Sequence, residues 1–265
     1  MSTKYQRQLF LGETSQSIIE WAVIGVVGLG GGGSHIVQQT AHIGFQNYAL
    51  YDPQTAEDTN LNRLVGATIR DVGREKLKIS KRLIRGLQPK AKISANRVRW
   101  QEAPEPLMVC DLIFGCADSF QDRDELETFC RRHLIIYIDI GMDIHQVDDE
   151  PPRMAGQVIL SAPGHACMKC LGFISPEKLA MEAQKYGVAG PRPQVIWPNG
   201  ILASSAVGLA VDALTGWTRK MRASIYLSYD GNTGFVSEHV LLQYAPKVCQ
   251  HYPLADAGSP QIRTL

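Results

Sequence analysis

The sequence predicts an α/β fold: a doubly wound, mainly parallel sheet with a C-terminal antiparallel extension. Three observations carry that reading. The apolar run Trp21–Val27 feeds directly into a glycine turn, Gly28-Leu-Gly-Gly-Gly-Gly33. Short apolar runs then alternate with stretches of helical period as far as residue 139, the pattern of parallel strands joined by crossover helices. Near the C-terminus, residues 224–229 and 234–240 flank Asp230-Gly-Asn, a hairpin signature.

Taken in order, a strand is expected over 21–27, a helix over 34–43 and a strand over 48–51 that ends at Asp52. Residues 73–88 read as an amphipathic helix, with Leu77, Ser80, Leu83, Ile84 and Leu87 near helical spacing. Strands follow at 92–96 and 112–115, then a helix at 121–132 and a strand at 135–139. Beyond Gly141 the rhythm changes. A strand at 157–161 precedes a turn holding Cys167 and Cys170, and a short helix spans 176–186. Proline and glycine make 187–198 an irregular crossing segment. A small-residue helix covers 200–214 and is closed by Gly216. Its alanines, Ala203, Ala206, Ala210 and Ala213, suit a dimer interface and a buried core helix equally. The pattern gives one domain over 1–254, with a nucleotide-binding half at about 14–140 and a crossover and C-terminal extension at about 141–254. A loose tail is expected over 255–265.

The 265 residues are 45% hydrophobic and 20% charged, an ordinary globular balance. Twenty-seven basic side chains face 26 acidic ones, so net charge gives no reason to expect nucleic acid, although a local platform is compatible with it. The polar start, Met1-Ser-Thr-Lys-Tyr-Gln-Arg, lacks the apolar core of a secretory signal. No apolar run reaches the roughly 20 residues that span a bilayer. Six scattered cysteines do not form a disulfide framework. Cytoplasmic residence is the expectation.

Gly28-x-Gly30-Gly31-x-Gly33 sits between a strand and a helix, the context that makes such a motif a Rossmann-like phosphate loop. Glycine lets the backbone approach a phosphate, and the helix N-terminus offers unpaired N–H groups and partial positive charge. Asp52 ends the next strand, where a carboxylate reaches ribose hydroxyls. Alone, the motif fits a nicotinamide dehydrogenase, a flavin protein or an ATP enzyme. Asn60, Arg63 and Lys76 follow Asp52, and Asp118 stands beyond the strand 112–115. Cations and an amide suit a triphosphate, and a carboxylate at a strand's carboxyl end suits magnesium. A nicotinamide enzyme leaves these four without a joint purpose.

With these residues the chain resembles the superfamily of ubiquitin-activating-enzyme-like adenylyltransferases, which includes the molybdopterin-synthase and thiamine-biosynthesis enzymes. The resemblance begins at Tyr5-Gln-Arg-Gln and runs through the glycine loop, Asp52, Asn60-x-x-Arg63, Lys76 and Asp118. It continues to Cys167-x-x-Cys170 and Trp197-Pro-Asn-Gly-Ile-Leu-Ala. It implies that Asp52 holds the ribose of ATP, that Asn60, Arg63 and Lys76 meet phosphates, and that Asp118 binds Mg2+. It further implies a homodimer in which Arg7 reaches the partner's triphosphate. The implied reaction adenylates the C-terminal glycine carboxylate of a small ubiquitin-like protein. A catalytically inactive scaffold for such a protein is the non-enzymatic alternative.

Cys167-Met-Lys-Cys170 has zinc-ligand spacing. Family members complete the site with a second Cys-x-x-Cys; here the segment reads Cys249-Gln-His251-Tyr252, so His251 becomes the candidate fourth ligand to a structural Zn2+. Residues 174–196 contain no cysteine, and Cys110, Cys116 and Cys130 lie in apolar settings. This favours an enzyme that stops at the acyl-adenylate and passes it to a separate thiol or amine. The resemblance allows sulfur transfer for cofactor synthesis, a bacterial ubiquitin-like conjugation pathway, modification of a peptide and tRNA-threonylcarbamoyladenosine dehydration. The segment Pro191–Ala203 resembles most the bacterial members of ubiquitin-like conjugation systems, with a downstream conjugating enzyme or sulfur donor as partner.

Overall fold

The computed structural model describes residues 3–147, 149–184, 193–220 and 224–253. Helix α1 (Ser15–Trp21) leads into β1 (Val23–Val27), α2 (Gly31–Ile43) and β2 (Asn47–Tyr51). Helix α3 (Lys76–Leu87) and strands β3 (Lys92–Asn96) and β4 (Leu112–Gly115) come next. They are followed by α4 (Phe120–Arg132), β5 (Ile136–Val147) and β6 (Glu150–Ser161). The chain then forms α5 (Pro176–Gln184), α6 (Ile196–Thr215), β7 (Ser224–Asp230) and β8 (Phe235–Glu238). The eight strands among the described residues join one sheet in the order β3-β2-β1-β4-β5-β6-β7-β8. Pairings from β3 to β5 are parallel; those from β5 to β8 are antiparallel. The expected doubly wound sheet with its antiparallel extension is therefore present.

Alternation along the strands divides the core between the two faces. Ile24, Val26, Leu50, Leu112 and Phe114 pack with Ile36 and Val37 of α2 and with α6. Val27, Ala49, Tyr51, Ile113 and Tyr137 face the other way, against Leu126 and Cys130 of α4 and Met168. The chain reverses its direction of strand addition between β1 and β4, which opens a crevice at the carboxyl ends of these strands.

Several boundaries differ from the sequence reading, each for a local reason. Trp21 ends α1 rather than opening β1, and it is 78% exposed; aromatic bulk alone resembles a strand start. Strands β5 and β6 extend into a hairpin of twelve-residue strands. Its outer half is mostly exposed on both faces and so shows no apolar period. Helix α6 starts at Ile196, inside the segment expected to be irregular. Pro198 occupies its first turn, where the missing N–H has no intrahelical acceptor to lose. Residues 187–192 of that segment, and the tail 255–265, lie outside the described residues. Ala203, Ala206 and Ala210 are fully buried against the sheet, so this alanine face belongs to the core.

Candidate nucleotide site and a cysteine–histidine cluster

The glycine turn joins β1 to α2 at the crevice. Gly28 has φ +89°, and a Cβ there would lie 2.6 Å from the Cys116 carbonyl oxygen. A Cβ on Gly33 would lie 1.9 Å from the Gly28 carbonyl oxygen, so the turn closes only with glycine at that position. At Gly31 the obstacle would be the Asn199 amide, 2.7 Å away. Gly30 differs: nothing lies within 4 Å of its would-be Cβ. The first intrahelical N–H bond runs from Ser34 to Gly30, at 3.0 Å, leaving the N–H groups of the first turn available.

Asp52 is buried at the end of β2 and fastens the turn. Its Oδ2 accepts the Leu29 N–H at 2.7 Å and its Oδ1 accepts the Gln54 N–H at 2.8 Å. Lys76, also buried, starts α3 and donates to Gln54 Oε1 at 2.6 Å. Arg63 is folded onto its own loop, donating to Thr59 O at 2.7 Å and Asn62 Oδ1 at 3.0 Å. Asn60 Oδ1 accepts the Glu57 N–H at 3.3 Å.

Gly28, Gly30, Gly31, Asp52, Asn60, Arg63, Lys76 and Asp118 all line one cavity of about 490 Å³, a volume suited to a nucleotide. Gly33 supports the turn from behind. Arg7 lies elsewhere. Its segment, Thr3–Leu11, is fastened by Lys4 to Leu87 O and by Gln8 to Ile43 O, at the far end of α2. Thirteen helical residues separate that end from the glycine turn by about 20 Å.

Other lining residues carried no assigned role in the sequence reading. Asn199, on the buried face of α6, donates to Val195 O at 2.8 Å; its Trp-Pro-Asn segment was visible, its contact with Gly31 was not. Gln54 bears no recognisable motif. Arg123 projects from α4 into a buried ion pair with Asp139 and also donates to the Ala117 carbonyl, immediately before Asp118. Tyr137 Oη, at 3.0 Å, and Gln157 Nε2, at 3.2 Å, complete the donors around Asp139. Trp100 Nε1 and Gln101 Oε1 are buried without a partner among the described residues, and both residues line the cavity. Cys116 also lines it, and burial pushes its thiol well above the ordinary range, which does not suit a nucleophile.

A second cluster lies on the α4 side of the sheet. Cys167, Cys170, Cys249 and His251 bring four candidate ligand atoms within 4.8 Å of one another. The sulfur separations are 3.6 Å for Cys167–Cys170 and 3.7 Å for Cys170–Cys249. His251 Nδ1 stands 3.5 Å from Cys167 Sγ and 3.3 Å from Cys170 Sγ. A tetrahedral zinc with ordinary bond lengths requires sulfur–sulfur edges of about 3.8 Å and sulfur–nitrogen edges of about 3.5 Å. The donor set fits that metal. Burial raises the Cys249 pKa, but N–H groups of Tyr252 and His251 and the neighbouring thiols outweigh it, leaving it below the ordinary value. Tyr252 is directed away: its hydroxyl bonds Thr128 Oγ1 at 2.8 Å. Beneath the cluster, buried Glu127 accepts the Met168 N–H at 3.0 Å and the Ser161 hydroxyl, holding the Cys-x-x-Cys turn from inside.

The ThiF family profile matches residues 3–250. The chain belongs to the ThiF family. It is 26% identical over 215 residues to the SAMP-activating enzyme E1 of Haloferax volcanii, covering 79% of this chain and 76% of that protein. The sulfur carrier protein ThiS adenylyltransferase of Escherichia coli is 22% identical over 196 residues, 71% of this chain and 74% of its own length. SUMO-activating enzyme subunit 2 of Dictyostelium discoideum is 24% identical over 202 residues, 74% of this chain; the match spans only 29% of that larger protein. Among solved structures, Escherichia coli MccB crystallised with ATP superposes with a TM-score of 0.73 at 17% identity, over 90% of this chain and 71% of its own. That likeness concerns the fold. By family, the chain is an ATP-dependent adenylyltransferase.

Proposed function

We propose that the chain adenylates the C-terminal glycine carboxylate of a small ubiquitin-like protein in the cytoplasm, within a bacterial conjugation or sulfur-transfer pathway. The observation that carries this is the gathering of Asp52, Asn60, Arg63, Lys76 and Asp118 around the glycine turn in one cavity. The residues fit ATP. Gly30 leaves open space above the helix N-terminus, where a phosphate meets unpaired N–H groups. Asp52, at the end of β2, would accept the ribose hydroxyls. The unpartnered Trp100 donor and Gln101 acceptor suit a base edge that carries both complements.

A carboxylate is a poor acyl donor because its leaving group would be oxide. In the proposed step a carboxylate oxygen of the substrate attacks the α-phosphorus, an O–P bond forms, and the bridge to the β-phosphate breaks. Pyrophosphate leaves with the bond's electron pair, and the acyl-adenylate remains. Lys76 and Arg63 offset charge growing on the phosphates, the dominant contribution in such transfers. Arg63 must leave Thr59 and Asn62 to do so. Asp118 is the hard oxygen ligand for Mg2+, which when bound supplies further charge neutralisation. Arg123 braces the Ala117 carbonyl and so orients the Asp118 loop. Arg7 is too far along α2 to serve its own cavity; in a homodimer it would serve the partner's. The cysteine–histidine cluster holds a structural zinc, and the activated carboxylate passes to a separate thiol or amine.

ATP–pyrophosphate exchange tests the reading. Exchange should require a ubiquitin-like protein ending in glycine and should be lost on Asp118→Ala while partner binding persists. Exchange that Asp118→Ala leaves intact would sink the mechanism. Partner binding without any exchange would favour the scaffold instead.

A further inference from the structure

Net charge is +1 over the whole chain, but it is distributed very unevenly. Residues 63–99 hold twelve of the 27 basic side chains and only two of the 26 acidic ones. That stretch carries +10, and the remainder carries −9. It folds as α3, the loop before it, and β3, which is the terminal strand of the sheet. We infer that the outer face of α3 and the open edge of β3 form a docking surface for the phosphate backbone of a nucleic acid.

The two acids do not soften this face. Asp71 is 1% exposed and is covered by Arg82, with Nη1 and Nη2 each 2.8 Å from a carboxylate oxygen, and by Arg74 at 3.1 Å. Glu75 is shared by Lys78, at 2.9 Å, and Arg97, at 3.4 Å. Each acid thus holds two cations in place and still leaves the group positive. Arg85, Lys90 and Lys92 are exposed and have no carboxylate within 4 Å among the described residues. On α3, positions 78, 82 and 85 form one row, because residues four and three apart share a helix face. Leu77, Ile79 and Ile84 face inward. Twelve residues give α3 a length of about 18 Å, along which a nucleic-acid duplex presents about ten phosphates.

Composition decides between a nucleic acid and an acidic protein. Between residues 63 and 99 there is no Phe, Tyr, Trp or Met; seven of the cations are arginine and five are lysine. Protein interfaces concentrate aromatic side chains and methionine. A face of cations without aromatic rings offers no stacking platform for bases, and its exposed apolar side chains are the aliphatic Ile69 and Val72 rather than the aromatic anchors that protein hot spots favour. It contacts backbone phosphates without reading sequence. Arg63, Lys76 and Arg99 also line the nucleotide cavity, so the field extends to its mouth.

The test is fluorescence anisotropy of the full chain with a fluorescein-labelled 20-base-pair DNA duplex and, separately, a 20-nucleotide single-stranded RNA, from 50 to 200 mM NaCl. Saturable binding that weakens steeply with salt is expected. For the duplex, Arg85→Ala/Lys90→Ala/Lys92→Ala should reduce the slope of log K against log salt by about 2.7, near 0.9 for each lost phosphate contact. ATP–pyrophosphate exchange by the variant should stay at the parent level, since none of the three lines the cavity. No binding at 50 mM NaCl would overturn the inference, as would an unchanged slope in the triple variant. Equal competition by polyglutamate would assign the face to acidic polypeptides instead. Displacement of the oligonucleotide by millimolar ATP would place it in the nucleotide cavity and would also overturn the inference.

Discussion

Gly30 and Gly33 stand three residues apart in the same turn, yet replacing each by alanine should fail in opposite ways. At Gly33 the new methyl carbon would be 1.9 Å from the Gly28 carbonyl oxygen and 2.9 Å from its carbon. Both atoms are backbone, so the turn must move by about 1 Å to restore contact distance, an overpacking cost at the upper end of the usual range, about 3 kcal/mol. Alanine in a helix recovers up to about 1 kcal/mol, which leaves a net loss near 2 kcal/mol. For a chain of this size that lowers Tm by about 4–8 °C. At Gly30 φ is −74° and no atom lies within 4 Å; alanine there should leave Tm within about 1 °C. Its methyl group, however, would occupy the space above the helix N-terminus. The KM for ATP should then rise about tenfold, equivalent to about 1.4 kcal/mol. Thermal melts by circular dichroism and ATP–pyrophosphate exchange at varied ATP measure the two effects separately. The reasoning fails if both variants lose Tm alike, or if Gly30→Ala keeps the parent KM.

Three further outcomes are expected. Arg82 beside Asp71 holds that carboxyl well below the usual carboxylate range; a depressed folded pKa stabilises fully above the unfolded value of about 3.9 and loses the contribution as pH falls through the folded one. The Tm advantage of the parent over Asp71→Asn should therefore be constant from pH 5 to 8, by the same principle, and shrink in acid; growth of the gap on acidification would contradict it. The purified chain should carry about one zinc per molecule, as expected of a closed four-ligand site. His251→Ala should release it and Tyr252→Phe should not; equal zinc content in both variants would remove His251 from the ligand set. Asp139→Ala strands Arg123 as a buried unpaired charge. Urea denaturation should show a loss of about 3–5 kcal/mol, and a loss below about 1 kcal/mol would mean that the pair is hydrated in solution.

Periodicity made the sheet legible. Lys92–Asn96 and Leu112–Gly115 form the predicted strands because each is a short run bounded by turn-forming or polar residues. The twelve-residue hairpin strands were only half visible, since a ribbon exposed on both sides needs no apolar alternation. The phosphate turn was legible because backbone geometry restricts Gly28 and Gly33 to glycine, and Asp52 because a strand end places it. Asn199 was not, since its role depends on α6 crossing Gly31 from more than 160 residues away in the sequence. Arg123 was equally hidden: nothing local says that a helix arginine will pair with Asp139 and brace the Asp118 loop. The even charge total concealed the basic face, because a sum discards position.

The cysteine–histidine cluster has a bearing on how the chain is made. Cys167 and His251 are 84 residues apart, and everything from α5 through β8 lies between them. A ribosome releases Cys167 and Cys170 long before Cys249 and His251, so until residue 249 has been synthesised a nascent chain offers only two of the four ligands of this cluster. The parallel half of the sheet has already emerged by then and can pair first, as domains do from the N-terminus during synthesis. Closure of the fourfold set thus comes after that half is complete. A chain truncated before residue 249 would keep the nucleotide-binding elements and lack the clasp, which would make metal retention a marker of chains that reach past residue 251.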